Sequence, residues 1–144
     1  MIDSIYILDN EDTPLIIYDS NGSKKSESEY QMLVAKLTES LRLFASDLKD
    51  HLCHFEIGNK KYHYTMDNIS GVKFIVISDK EMREKELLDI MQEIKNHYIN
   101  TFIGSSLLTE REIADAKDRV KKKIEDLTEG KRFNSTQFLL DLNQ

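Results

Sequence analysis

Apolar residues recur along this chain in two rhythms, and the changes between them mark out its elements. "IYIL" (residues 5–8) and "LIIY" (residues 15–18) are short, β-branched-rich runs separated by "DNEDTP", the pattern of two strands joined by a turn. Ile5 and Ile7 alternate with Tyr6 and Leu8, so the first strand is apolar on both faces and belongs inside a sheet. Pro14 cannot donate to a ladder, which places the second strand on an edge.

The period then lengthens. Ser26 with Glu29 forms a capping-box signature, and Tyr30, Leu33, Val34, Leu37, Leu41, Phe44, Ala45 and Leu48 follow at spacings of three and four. That predicts one long amphipathic helix. "VKFIVIS" (residues 72–78) is apolar on alternate positions of both faces, the mark of a second central strand. A second helix is predicted from about 80 to 102, with Leu87, Ile90, Met91, Ile94, Tyr98 and Phe102 on its buried side. A third opens at Thr109 with Glu112 three residues on, and Leu108 with Ile113 supplies a hydrophobic staple. Its stripe runs Ile113, Ala116, Val120, Ile124, Leu127, ending near Gly130.

Between the first helix and "VKFIVIS" lies "HLCHFEIGNKKYHYT", which holds His51, His54, His63 and the chain's single cysteine, Cys53. "GN" at residues 58–59 suits a tight hairpin turn. The turn sets Ile57 opposite Lys60, Glu56 opposite Lys61, Phe55 opposite Tyr62 and His54 opposite His63. One face then carries Cys53, Phe55, Ile57, Tyr62, Tyr64 and Met66. The other carries His54, Glu56, Lys61, His63 and Thr65, read as a polar surface with a Glu56/Lys61 charge pair.

The chemistry this region could support is limited. Zinc wants four ligands, or three and a water, and the histidine face offers only Glu56 as a third, beside Lys61. Cys53 projects from the opposite face to His54, so no thiolate–imidazole pair is implied. No two glycines stand close enough for a phosphate loop. Glu81, Glu84 and Glu86 suit a helix N-terminus. The basic run "RVKKKIEDLTEGKR" is read as a solvated helix face neutralised by Asp115/Arg119 and Asp118/Lys122. No catalytic residue, cofactor or metal is expected.

Bulk properties narrow the field further. At 144 residues the chain can bury a full core without staples. A net charge of −6 argues against a general nucleic-acid binder. One cysteine fits a reducing compartment, the N-terminus lacks a signal-peptide pattern, and no apolar run approaches the ~20 residues of a span. The expectation is a cytoplasmic protein.

The element order is strand, strand, helix, three strands, helix, helix. With the two double-faced strands in the middle, the sheet order becomes 2-1-5-4-3, antiparallel throughout. The expected fold is α/β of the α+β type, a three-layer α/β/α sandwich with one helix on one face and two on the other. This arrangement resembles the longin domain over residues 1 to about 129. The likeness is carried by "MIDSIYILDNEDTPLIIYDS", the first helix, the meander "FEIGNKKYHYTMDNISGVKFIVISD" and the helix "EKELLDIMQEIKNHYINTF". The resemblance, which extends to roadblock-like proteins, implies a non-enzymatic scaffold that dimerises or binds a small GTPase or another longin-like chain, as in vesicle trafficking. No heptad-patterned segment or lipidated cysteine follows, unlike the SNARE versions. Two other classes compete. One is a PAS- or GAF-like small-molecule sensor, which needs a cavity, and the other a metal enzyme using His54 and His63.

The tail, residues 130–144, carries Phe133, Phe138, Leu139, Leu140 and Leu142. Phe138, Leu139 and Leu142 lie at helical spacing, and clustered apolar side chains invite burial. They are expected to dock, on their own domain or on a partner.

Overall fold

The computed structural model describes residues 1–20, 26–44, 53–103 and 109–130. They form two compact units, Met1–Met82 and a second starting at Arg83. The first holds β1 (Ile2–Leu8), β2 (Pro14–Asp19), α1 (Glu27–Phe44), β3 (Cys53–Ile57), β4 (Lys60–Met66) and β5 (Lys73–Asp79). The second holds α2 (Glu84–Tyr98), prolonged by a π turn over Ile99–Ile103, and α3 (Glu110–Glu125), prolonged by another over Asp126–Gly130. A five-stranded antiparallel sheet with three helices places the chain in the α+β class.

The sheet order is β2-β1-β5-β4-β3, as expected from the two double-faced strands. β1 and β5 pair although they are far apart in sequence, with Ile5 opposite Val76, Tyr6 opposite Ile75 and Ile7 opposite Phe74. Both faces of these strands are buried, the property a layered sandwich requires. Tyr6, Leu8, Ile75 and Ile77 face α1 and meet Val34 and Leu37, with Ile17, Leu33, Tyr62 and Tyr64 around them. Ile5, Ile7, Phe74 and Val76 belong to the opposite face and are at most 1% exposed.

Turn chemistry pins the strand ends. The Asp9 carboxylate accepts from the backbone N–H groups of Glu11 (2.9 Å) and Thr13 (2.8 Å). Asp67 accepts from the Ser70 N–H (3.0 Å) and hydroxyl (2.7 Å), and an Asp12–Lys73 ion pair joins the β1–β2 turn to β5. Gly71 sits at φ +75°, and a Cβ there would lie 3.0 Å from that of Asn10, so a side chain is disfavoured by both conformation and space.

In the second unit, Leu87, Ile90, Met91, Ile94 and Tyr98 of α2 are buried, as are Ala116, Val120 and Ile124 of α3, and the two helices pack together. Thr109 caps α3, accepting from the Glu112 N–H at 3.1 Å. Ile113 departs from the expected stripe and is 37% exposed. The anticipated Asp115/Arg119 and Asp118/Lys122 pairs do not close within 4 Å among the described residues. Exposed helix pairs are worth only a few tenths of a kcal/mol, about what holding two long side chains costs. His97 on α2 is held below its ordinary pKa by burial, then by Lys123 and Arg119.

The hairpin register is the expected one, His54 opposite His63 and Glu56 opposite Lys61. Two readings of its polar face need correction. His63 is 2% exposed rather than on a surface, because β4 lies inside the sheet and its ring shares a face with Val76, Ile5 and Phe74. Only edge-strand His54 is exposed. Glu56, moreover, makes its ion pair with Lys80, at 3.6 Å, rather than with Lys61.

Candidate functional site

One concave feature of the first unit lies where α1 meets the sheet. Val34 and Leu37 point down at Ile75 and Ile77 and are buried. Leu33, Lys36 and Ser40 follow at spacings of three and four and so share one flank of α1. Beside them β3 ends at Ile57, followed by the Gly58–Asn59 hairpin turn into β4, with Gly58 at φ +60°. A recess of about 230 Å³ opens there, lined by Leu33, Lys36, Leu37 and Ser40 of α1, Ile57 of β3, Tyr62 of β4 and Ile77 of β5.

Its chemistry is mostly apolar. Ile57 is 46% exposed, although it belongs to the apolar face of the hairpin. The Ser40 hydroxyl donates to the Lys36 carbonyl at 3.0 Å, so that group is engaged within the helix. At the inner side, the Tyr6 hydroxyl has its pKa pushed up to about 12, chiefly by burial; a Ser4 hydrogen bond acts against this, and Asp19, Tyr30 and Tyr62 add to it.

Two of the histidines, His54 and His63, are brought together. The rings of His54 and His63 stack with centroids 5.9 Å apart and planes at 22°. His63 Nδ1 and Nε2 have no hydrogen-bond partner among the described residues. Burial first, then His54 and Lys61, lowers its pKa to about 4. Among the described residues no group of three or more His, Cys, Asp and Glu side chains could hold a metal ion. Cys53 takes the first position of β3, opposite Tyr64. His51 and the predicted docking residues Phe138, Leu139 and Leu142 lie outside the described residues.

No family model matches the chain, and no curated protein does. Among solved structures, it is similar to Myxococcus xanthus MglB, with 12% identity, 87% of this chain and 85% of that one covered, and a TM-score of 0.41. A likeness this distant carries no argument about function. The recess has to be read from its own residues.

Those residues were not singled out in the sequence, although two signals were present. Leu33, Val34 and Leu37 make the apolar stripe of α1 too broad for the strands beneath it. Ile57, the last apolar residue before a hairpin turn, pairs with Lys60 at the rim of the sheet. No helix among the described residues is long and apolar enough to cross a membrane.

Proposed function

We propose that this chain is a non-enzymatic, longin-like protein-interaction scaffold acting in the cytoplasm, and that the recess beneath α1 receives apolar anchor side chains of a protein partner. The observation that carries this reading is an apolar recess at the open edge of the sheet with Ile57 left half exposed. Its size favours an anchor over a ligand. Pockets for small molecules run to about 300–1,000 Å³ and bury most of the ligand. At about 230 Å³ and open to solvent, this recess suits one or two side chains instead. That places the small-molecule-sensor reading second. A small GTPase or a second longin- or roadblock-like chain, giving a dimer, is the partner class that the resemblance implies.

Ile57→Asp tests it. The exposed side chain can change without unfolding the sheet, whereas a carboxylate in an apolar contact should weaken partner binding by at least about 30-fold, as for a hot-spot residue. Proteins retained from the native host by the wild type and by the variant can be compared by quantitative mass spectrometry. The same retained set on both would sink the proposal.

We also propose that residues 1–129 act as one domain and that 130–144 is a docking element through Phe138, Leu139 and Leu142. Removing residues 131–144 should either lower the melting temperature markedly, if the segment completes the core, or raise affinity for partners, if it competes with them. A deletion neutral in both respects would show that it does not dock.

A further inference from the structure

We infer that the segment filling the recess carries an acidic residue beside its apolar anchor, and that Lys36 selects for it. This rests on the recess being the partner site. The recess has one charged residue in its lining, and that residue is a cation on a chain of net charge −6.

Three lysines around the sheet are engaged in ion pairs, and Lys61 of β4, which does not line the recess, is in none among the described residues. Lys60 pairs with Asp3, Lys73 with Asp12 and Lys80 with Glu56. Lys36, exposed on α1, has no ion pair among the described residues. Lys36 lines the recess beside Leu33 and Leu37, and a lysine stem covers apolar surface while its ammonium stays in water. An occupant that buries an apolar side chain against Leu33, Ile57 and Ile77 must pass its neighbouring residues across that ammonium. A carboxylate there is attracted and a second cation repelled, so the charge sets which sequences enter and in which register more than how tightly they hold. A net charge of −6 favours basic partners in general, and at the recess Lys36 acts against that preference.

The inference can be tested with short peptides and the full chain. The probe is a labelled peptide with the sequence of residues 137–143, QFLLDLN, which sets an aspartate among apolar residues, together with its Asp141→Lys version. Binding is followed by fluorescence anisotropy at low salt. The aspartate peptide should bind the wild type about three- to fivefold more tightly than the lysine peptide, the range of an exposed ion pair. In Lys36→Glu the order should invert, and in Ile57→Asp both peptides should lose affinity. If the order is unchanged in Lys36→Glu while Ile57→Asp still weakens both, the charge rule is wrong and the recess reading stands. If Ile57→Asp changes neither, or neither peptide binds by about 1 mM either the wild type or the chain lacking residues 131–144, which carries no competing copy of the probe, both are wrong.

Discussion

Truncating Phe74 to alanine should destabilise the protein by about 3–5 kcal/mol, the usual cost of removing a buried aromatic ring and leaving a cavity. Phe74 is 1% exposed and sits on β5, the strand that pairs with β1 on one side and β4 on the other. It stands opposite Ile7 on β1, itself fully buried, and opposite Thr65 on β4. A central strand tied on both sides cannot easily collapse into the space a lost ring leaves. Against a typical total stability of about 5–15 kcal/mol this is a large fraction, and the melting temperature should fall by roughly 10 °C. Urea denaturation would measure it, with unchanged slope and a lower midpoint. Ile69→Ala is the control: that side chain is 92% exposed, and its loss should fall within about 0.5 kcal/mol. A cost at Phe74 below ~1 kcal/mol would mean that β5 is not the centre of the sheet.

That the strand after the hairpin belongs in the middle of the sheet was legible in the sequence. Ile5, Tyr6, Ile7 and Leu8, like Phe74, Ile75, Val76 and Ile77, leave no polar face to turn toward water, and only a strand with neighbours on both sides can satisfy that. Pro14 pointed β2 to an edge by the donor it lacks. The hairpin register followed from Gly58–Asn59, because a two-residue turn fixes every pair beyond it. His63 was misread because alternation along a strand tells which residues share a face, not whether that face is wet. β4 lies next to central β5 and His63, opposite Val76, is its one buried residue, whereas His54 on β3 one step further out is exposed. The recess was hidden for a related reason. It depends on where α1 sits relative to a short edge strand, a tertiary relation between Leu33, Lys36 and Ile57 that no local pattern encodes. Lys36 in the sequence is one more lysine on an amphipathic helix. Its distinction is that it is the charged residue lining the recess, with no ion pair among the described residues.

Acidification should cost stability through His63, by up to about 3 kcal/mol, and replacing that residue with leucine should remove this part of the pH dependence. An unfolded histidine takes up its proton near pH 6.5, whereas in the folded chain His63 does so only near pH 4. Between these values the unfolded state binds the extra proton and the folded state does not, so stability rises with pH. The contribution is complete above about pH 6.5 and is lost as pH falls through that value toward 4, at about 1.4 kcal/mol per unit for this single group. The cause is burial first: the imidazolium would have to exist at 2% exposure with neither ring nitrogen hydrogen-bonded among the described residues. The stacked His54 and nearby Lys61 add like-charge repulsion. Other groups in the chain titrate over the same range, so the quantity to measure is the difference between wild type and His63→Leu from pH 7.5 to pH 4. The variant should be at least as stable as the wild type at neutral pH, because it removes polar atoms whose burial without a partner costs about 1–3 kcal/mol. Its advantage should then widen on acidification. Parallel stability curves for the two proteins would show instead that His63 keeps its ordinary affinity for protons, and so that water or an acceptor reaches its ring.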